Sequence, residues 1–410
     1  MKQSKLFGKT IREAPKDEVS ANAILLSRAG YIDKLIAGVY NYLPLGVKVL
    51  NKIQNIVREE MNKIEGQEIY LSALQPKELW ETTGRWESMK DIMFQFVGRS
   101  GQEFGLGTTH EEPVTEMVRK RVSSYRDLPV YLYQIQNKFR NEPRAKSGLL
   151  RGREFNMKDL YSFSATQEEL DIFYEQAIKA YLTIFKRCGL EAIVVEASGG
   201  TFTKEYSDEF QVLTEYGEDE IVMCSKCGFA QNTEICQLKT GDKCPQCKAK
   251  VKLEKSIEVG NIFKLGNKYS HDFGLKFQDQ KGQEQEVIMG CYGIGPSRVM
   301  GTVAEVMHDQ EGLIWPKSLS PFNIHLLLLS EDDKKKKITE KLYNDLINDG
   351  YDVLYDDRPV SPGIKLKDAD LIGISLQLII GDRTNEKIEY KIRENNKKGE
   401  TSFKEIKKLL

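Results

Sequence analysis

The segment VYLYQIQNKFRNEPRAKSGLLRGREFNMKDLYSF, residues 130–163, contains two strand-like runs separated by a basic loop. The runs are VYLYQIQNKF and REFNMKDLYSF, and the loop between them carries Pro143, Gly148 and Gly152. Earlier in the chain, QEIYLSAL and QFVGR have the same strand-like character and do not alternate regularly with helical patterns. This order predicts an α+β domain in which helices lie outside a mainly antiparallel sheet.

Two long amphipathic helices accompany these strands. The first is predicted over 45–64, before Gly66, because apolar residues recur at three- and four-residue spacing at Leu50, Ile53, Val57, Met61 and Ile64. The second begins at Thr166, which has the capping-box spacing to Glu169, and ends at Gly189. Its apolar face consists of Leu170, Phe173, Ala177, Tyr181 and Phe185.

After Trp315-Pro316 the pattern changes to alternating strands and helices. FNIHLLLL, a lysine-rich helix over about 332–348, DVLYDD, a short helix near 365–371 and LQLIIG predict a small α/β domain that begins near Pro321. Basic and acidic residues balance in this region, so DDKKKK is interpreted as a solvated helix end rather than as an arm that binds nucleic acid.

The bulk composition excludes several classes of protein. A chain of 410 residues suggests two or three domains. Its 60 Lys+Arg and 61 Asp+Glu give a net charge of −1, so any contact with nucleic acid must depend on local patches. No apolar run approaches the ~20 residues of a membrane span, and MKQSKLFGKTIREAPKDE lacks the apolar segment of a secretory signal. We therefore expect a soluble, cytoplasmic protein without a membrane partner.

Four of the seven cysteines form two C-x-x-C pairs. Cys224 and Cys227 precede Cys244 and Cys247, with sixteen residues between the pairs. This spacing predicts a closed four-thiolate site for structural Zn²⁺, and the alternatives are redox pairs or buried thiols. Cys236 lies between the pairs as a spare thiol.

The loop in the opening segment concentrates positive charge at Arg140, Arg144, Arg151 and Arg153. The chain has no G-x-x-x-x-G-K-[ST] loop, so any phosphate must be held by side chains, and arginine presents a planar fork that matches phosphate oxygens. Glu142 follows Arg140 by two residues and points to the same side of an extended strand. The alternative is a solvated hairpin with no ligand.

Several longer motifs extend this pattern. They are GTTHEEPVTEMV, SYRDLPVYLYQIQNKFR, FRNE, LLRGREFNMKDLYSF, IEVGNIFKLGNKYS, MGCYGIGPSR and YDDRPVSPGIKLKDADLIGI. In order and spacing, from about Arg28 to the C-terminus, they resemble the bacterial and mitochondrial prolyl-tRNA synthetase family, which belongs to the class II aminoacyl-tRNA synthetases. The resemblance implies a catalytic domain in two parts (1–220 and 256–318), a zinc-ribbon-like insert (221–255) and an α/β anticodon-binding domain (319–410). The short insert stands where relatives often carry an editing domain, so we expect no cis-editing.

The resemblance also implies the reaction and its ATP site. Proline and ATP would form prolyl-adenylate, with Mg²⁺ bound to ATP, and the prolyl group would pass to tRNA(Pro). By the family pattern, Arg140 contacts the α-phosphate and the carboxylate of proline, while Arg151 and Arg298 contact the outer phosphates. The adenine and the rest of ATP would be held by Glu142, Phe155, Glu258 and Asn261.

Proline and tRNA would be bound by further motif residues. Thr109 and Glu111 would take the imino group of proline, and Phe263 and Cys291 would line its ring, although residue type alone makes these two ordinary core residues. Glu111 is also suited to a helix N-terminus. Arg358, Lys365 and Lys367 would contact tRNA. His110, His271, His308 and His325 have no catalytic signature.

Some positions depart from the family pattern. Ser72 replaces a proline at the expected homodimer interface, Thr108 replaces a proline, and Asn261 replaces a histidine. In GGTFTKEYSDEF, Thr203-Lys204 replaces a glycine pair and Asp208 replaces a histidine. Two alternatives therefore stay open: a non-catalytic synthetase-like protein that binds tRNA or regulates a partner, and a synthetase for another amino acid such as threonine or serine.

Overall fold

The computed structural model describes residues 1–16, 18–143, 145–200, 202–203, 205–385 and 387–409. Its ten α-helices in these ranges are α1 (Ala21–Arg28), α2 (Pro44–Lys63), α3 (Lys77–Thr82), α4 (Arg85–Ser88), α5 (Glu111–Arg119), α6 (Gln167–Arg187), α7 (Lys268–Phe273), α8 (Pro296–Val306), α9 (Asp333–Asn348) and α10 (Pro362–Ile372). Among these described helices, none is both long enough and apolar enough to cross a membrane.

The strands of the described residues fall into five sheets. They are β1 (Ile32–Ile36), β2 (Val39–Tyr42), β3 (Gln67–Glu68), β4 (Leu74–Pro76), β5 (Gln95–Val97), β6 (Glu103–Leu106), β7 (Val130–Phe139), β8 (Glu154–Ser164), β9 (Ala192–Ser198), β10 (Tyr206–Leu213), β11 (Asp219–Met223), β12 (Ala230–Asn232), β13 (Lys252–Gly266), β14 (Lys276–Gln278), β15 (Glu284–Glu286), β16 (Ile288–Ile294), β17 (Ile324–Leu328), β18 (Val353–Asp356), β19 (Leu376–Ile380), β20 (Lys387–Ile392) and β21 (Lys397–Ser402).

The chain forms two compact units. The larger unit comprises Ala37–Val39 and Gln54–Val299, and the smaller unit comprises Met1–Ile36, Tyr40–Ile53 and Met300–Leu410. The smaller unit thus groups the N-terminal residues with the C-terminal part of the chain, and within it Lys2 forms a bridge with Tyr355 and Gln3 bonds His325.

A nine-stranded sheet organises the larger unit, in the order β10-β9-β12-β11-β13-β16-β8-β7-β3. All its pairings are antiparallel except β12 with β9 and β3 with β7. β7 and β8 pair along their length, from Val130 opposite Phe163 to Phe139 opposite Glu154. The predicted α+β architecture with a mainly antiparallel sheet is therefore confirmed.

The two predicted long helices are also confirmed. α2 begins at Pro44, and α6 begins after Thr166, whose side chain accepts from the backbone of Glu169 while the Glu169 side chain accepts from the backbone of Thr166. The apolar face predicted for α6 is buried, including Phe173 and Tyr181.

The prediction of one strand over QEIYLSAL was wrong. That segment contains β3 and β4, and the residues between them are not strand. The physical reason is that the backbone of Leu71 bonds side chains instead of a neighbouring strand: its N–H donates to Gln134, and its carbonyl accepts from Gln136.

A five-stranded sheet, in the order β18-β17-β19-β20-β21, organises the C-terminal part of the smaller unit. β17 pairs in parallel with β18 and β19, and α9 and α10 provide the connections, as the alternating pattern predicted. The sequence analysis missed β20 and β21, which pair antiparallel at the edge. Most residues of both strands are exposed or half-buried, and β21 is the edge strand, so KIEYKI and KKGETS carry many charged residues that obscured the strand pattern.

Candidate active site

The basic loop between β7 and β8 places Arg140 at the centre of the site. Its backbone N–H donates to the Arg153 carbonyl at 2.8 Å, which closes the end of the hairpin. Its guanidinium lies 5.2 Å from the ring centroid of Phe155 and makes no hydrogen bond or ion pair with any residue that the structure describes. Burial lowers the pKa of Arg140, and the nearby Arg298 lowers it further. The carboxylates of Glu258, Glu142 and Glu111 oppose this lowering. A half-buried guanidinium that makes no hydrogen bond or ion pair with a described residue is placed to receive an anion.

The other arginines of the loop are already engaged. Arg151 pairs with Glu142, with its Nη2 2.9 Å from Oε2, and Arg153 donates to the carbonyls of Glu142 and Ala37. Arg153 therefore fixes the loop, and the Arg151–Glu142 pair lies at its surface. Arg144 lies outside the described residues.

Arg298, at the start of α8, faces β13. Its Nη1 donates to Glu258 Oε2 at 2.9 Å, and its Nε donates to the Leu150 carbonyl at 2.8 Å. Asn261 follows Glu258 by three residues on β13, and its Nδ2 lies 3.4 Å from Glu209 Oε1. Burial and the charge of Glu258 raise the pKa of Glu209 to about 7. Arg298 thus stands beside a cluster of carboxylates that favours cations.

Glu111 occupies a fully buried position at the N-terminus of α5. Its Oε2 accepts from Thr109 Oγ1 at 2.6 Å, and its Oε1 accepts from Cys291 Sγ at 3.1 Å. Burial raises the pKa of the Cys291 thiol well above its usual value, so the thiol acts as a neutral donor. Three of the five residues that the family pattern assigned to proline, namely Thr109, Glu111 and Cys291, therefore form one hydrogen-bonded group.

A cation that the sequence analysis missed stands behind this group. Arg85, 4% exposed, lies with Nη1 2.8 Å from Glu112 Oε1 and 3.7 Å from Glu111 Oε2, and it donates to the Tyr269 hydroxyl at 2.8 Å. Its guanidinium also lies within 5.3 Å of the ring centroids of Trp80 and Phe202. GRWE in the sequence gave no periodic or motif signal for this contact, which depends on the packing of α4 against α5 and α7.

Three adjoining cavities meet at Arg140. The largest, about 710 Å³, is lined by Thr109, Glu142 and Arg151. A second, of about 220 Å³, is lined by Phe155, Glu258, Asn261, Phe263, Cys291 and Arg298, and a third, of about 230 Å³, by Glu142, Arg151, Glu258 and Arg298. The ATP and proline residues expected from the sequence are thereby brought together around one arginine, with Glu111 buried behind the walls.

The departures from the family pattern lie in different surroundings. Asp208 accepts from the Tyr174 hydroxyl of α6 at 2.8 Å and does not line these cavities. Thr108 is buried on the wall of the largest cavity, and the Ser72 carbonyl lies 3.1 Å from His110 Nε2. Lys204, of the altered loop, lies outside the described residues.

The four paired cysteines converge at the end of the large sheet. Cys224 Sγ lies 3.5 Å from Cys247 Sγ, and Cys227 Sγ lies 3.5 Å from Cys244 Sγ. All four sulfur atoms lie within 4.8 Å of one another. Tetrahedral Zn–S bonds of ~2.3 Å separate the sulfurs by about 3.8 Å, so the donor set fits Zn²⁺. Cys236 is buried beside the cluster and is not part of it.

The residues expected to contact tRNA in the smaller unit differ in accessibility. Lys365 is buried, and its ammonium donates to the carbonyls of Leu328 and Asp356. Arg358 pairs with Asp356 and Asp368. Lys367 is exposed. Of the three, Lys365 is therefore corrected from a surface contact to a residue that fixes α10 against the sheet.

Comparisons with known proteins matched the chain to two family models and to named relatives. A family model described as tRNA synthetase class II core domain (G, H, P, S and T) matches residues 94–307, and one described as anticodon binding domain matches residues 321–410. The chain is 34% identical to a proline–tRNA ligase of Caldicellulosiruptor bescii, with 100% of this chain and 97% of the relative covered. It is 33% identical to that of Halothermothrix orenii, with 100% and 99% covered.

Solved structures share the fold. Prolyl-tRNA synthetase of Cryptosporidium parvum, complexed with L-proline and AMP, superposes with a TM-score of 0.76 at 18% identity, covering 95% of this chain and 74% of that one. Prolyl-tRNA synthetase of Giardia lamblia, in complex with prolyl-adenylate, gives a TM-score of 0.77 at 19% identity, covering 93% and 73%.

Proposed function

Because the chain belongs to the family of proline–tRNA ligases, which are class II aminoacyl-tRNA synthetases, we propose that it activates L-proline with ATP at the cavities around Arg140 and transfers the prolyl group to tRNA(Pro). The single observation that carries the proposal is the Arg140 guanidinium, which lines all three cavities and has no partner among the described residues. The Arg140 guanidinium is suited to bind the α-phosphate of ATP while the carboxylate of proline attacks it.

The first step needs positioning and charge neutralisation rather than a protein nucleophile. The carboxylate of proline attacks the α-phosphate in line and releases pyrophosphate. Arg140 holds both reacting anions, and Arg298 and Arg151 hold the outer phosphates. When ATP binds, Arg298 leaves Glu258 and Arg151 leaves Glu142, and each arginine bonds phosphate oxygens instead.

The remaining ATP contacts come from the same walls. Glu142 accepts from the adenine amino group, Phe155 stacks on the ring, and Asn261 and Glu258 line the nucleotide side. Mg²⁺ prefers carboxylate oxygens, and Glu258 with the neighbouring Glu209 supplies such donors. When bound, this ion neutralises phosphate charge.

Proline binds on the side of Glu111. The carboxylate of Glu111 and the hydroxyl of Thr109 take the charged imino group, while Phe263 and Cys291 contact the ring. Arg85 holds Glu111 in place from behind. In the second step a hydroxyl of the terminal ribose of tRNA attacks the prolyl carbonyl carbon of the adenylate, the ester bond to tRNA forms and AMP leaves. At the anticodon-binding domain, Lys367 is the proposed phosphate contact, with Arg358 beside it.

The four-cysteine cluster binds structural Zn²⁺, because four thiolates leave no open position for a substrate. The family also favours a homodimer in the cytoplasm.

Amino-acid-dependent ATP–pyrophosphate exchange tests the proposal, run without tRNA and with each of the twenty amino acids. We expect exchange with proline alone, and a loss of about 10²–10³ in rate for Arg140→Ala, because an electrostatic contact in the transition state is removed. Arg58→Ala is the matched control, since Arg58 pairs with Glu68 at the exposed surface. Exchange with threonine or serine would reassign the substrate, and no exchange, with tRNA present or absent, would favour a non-catalytic tRNA-binding protein.

A further inference from the structure

The zinc-ribbon-like insert, residues 221–255, is strongly basic in a chain that is otherwise balanced. It contains seven lysines and three acidic residues, whereas the whole chain has a net charge of −1. All seven lysines are exposed, and none forms an ion pair with any described residue. They are Lys226, Lys239, Lys243, Lys248, Lys250, Lys252 and Lys255. Seven lysines and three acidic residues give the segment a net charge of +4.

Three of these lysines form a row on one face. Lys243 and Lys250 are partners in an antiparallel bridge, and Lys252 follows Lys250 by two residues. Val251 between them is buried, so in an extended chain Lys250 and Lys252 point together to the solvent side. Like charges directly opposite each other destabilise a ladder. An anion that lies across the row offsets this repulsion.

The turn of the second cysteine pair adds a fourth lysine at an unfavourable backbone position. Lys248, directly after Cys247, has φ +64°, and Gly228, directly after Cys227 in the first pair, has φ +79°. Glycine adopts this left-handed conformation freely, whereas a lysine there is disfavoured. Its ammonium remains at the surface and donates to the Pro245 carbonyl at 3.2 Å. The turn after the second cysteine pair thus has the cation Lys248 at the position where the turn after the first pair has Gly228.

The basic row is continuous with the reaction centre. β13 begins at Lys252 and carries Glu258 and Asn261 of the candidate active site. Six residues of strand span roughly 20 Å. A nucleic acid whose 3′ end enters the site therefore brings its phosphates within reach of the ribbon.

We propose that this face of the ribbon, formed by Lys243, Lys248, Lys250 and Lys252, binds the phosphate backbone of tRNA close to its acceptor end. The inference rests on the proposed function, since tRNA is the substrate of the second step. Lysines on exposed extended chain make phosphate contacts that position the RNA without reading its sequence. The ribbon then contributes to the transfer step and has no part in the formation of prolyl-adenylate.

The test compares two reactions of the same full-length variants. Lys243→Gln, Lys250→Gln and Lys252→Gln are combined in one variant, and Lys179→Gln, Lys186→Gln and Lys281→Gln form the control, because these three are also exposed and without ion pairs among the described residues. At low salt we expect the ribbon variant to raise the KM for tRNA about tenfold. The slope of log(kcat/KM) against log(salt) should become shallower by about 2–3 units, as for the loss of three phosphate contacts. Proline-dependent exchange without tRNA should be unchanged.

Lys248→Gly separates binding from folding. It gives the second turn the residue of the first, so we expect an equal or higher melting temperature together with a KM for tRNA that rises about threefold. An unchanged KM in both ribbon variants would refute the ribbon surface, as would a KM raised equally by the control. Loss of exchange in parallel with charging would instead assign the lysines to the stability of the larger unit. No proline-dependent exchange by the wild type would refute the proposed function itself.

Discussion

Replacing Arg85 by methionine should destabilise the larger unit and weaken proline binding. Arg85 faces two buried carboxylates, with Nη1 2.8 Å from Glu112 and 3.7 Å from Glu111. Methionine keeps an apolar stem between Trp80 and Phe202 but removes the charge. Burial already raises the pKa of Glu112 to about 7, and Arg85 opposes that rise.

The magnitude follows from these distances. At an effective dielectric constant of ~20, unit charges 2.8 Å and 3.7 Å apart attract by about 6 and 4.5 kcal/mol. Desolvation of each ion offsets several kcal/mol of this sum, and removal of one partner of a buried pair typically costs about 3–5 kcal/mol. For a unit of this size that cost corresponds to a fall of about 10 °C in melting temperature.

Thermal unfolding of Arg85→Met, Glu112→Gln and the double variant measures the effect. The double variant should be less destabilised than the sum of the single variants, with a coupling energy of about 2–3 kcal/mol, because it leaves one fewer uncompensated charge. In proline-dependent exchange, the KM for proline should rise while the KM for ATP stays constant, since Glu111 loses its support and Arg140 does not.

Arg58→Met is the control, because Arg58 pairs with Glu68 at the exposed surface and should cost less than about 1 kcal/mol. The reasoning would be refuted by an Arg85→Met variant as stable as this control, by additive single and double variants, or by equal rises in the two KM values.

Two further predictions concern stability. Burial lowers the pKa of His325 in the smaller unit to about 4. Below pH 6.5 the unfolded chain therefore takes up a proton that the folded chain does not. As the pH falls from 6.5 to 4, the free energy of unfolding should decrease by up to about 1.4 kcal/mol per pH unit for this group. Chemical denaturation of the wild type and of His325→Phe should show that this part of the pH dependence is lost in the variant, and equal slopes would contradict it. Metal analysis should find one Zn²⁺ per chain in the wild type and none in Cys244→Ser, and the melting temperature of Cys244→Ser should also fall. The control variant Cys236→Ser should keep the metal. Metal retained by Cys244→Ser would exclude the four-thiolate site.

Local sequence patterns were sufficient where short-range physics decides the structure. The capping box of Thr166 and Glu169 and the apolar spacing that follows specify α6 through contacts within one or two helical turns. The strand runs on either side of the basic loop specify β7 and β8, because a connection of this length joins antiparallel neighbours. The spacing of the two cysteine pairs was enough to predict that their four sulfur atoms lie close together.

Contacts between distant segments could not be read in the same way. Leu71 looked like the middle of a strand, but Gln134 and Gln136 bond its backbone from β7. Lys365 looked like a surface cation, but α10 turns its ammonium toward two carbonyls of the sheet. In both cases residue type was compatible with either outcome, and the partner lies far away in the sequence.

The sequence by itself determined the fold class and the family resemblance, and it singled out Arg140 as the arginine proposed to bind phosphate, because strand and helix periodicities and motif spacings are local properties of the chain. Only the tertiary structure decided which charges are free. Among the residues that the structure describes, Arg140 has no hydrogen-bond or ion-pair partner for its guanidinium, whereas Arg151, Arg153 and Arg298 have such partners, and Arg85 meets Glu111 and Glu112 from another helix. The physical reason is that the environment of a charge depends on burial and on neighbours within a few ångströms, and folding draws those neighbours from distant parts of the chain.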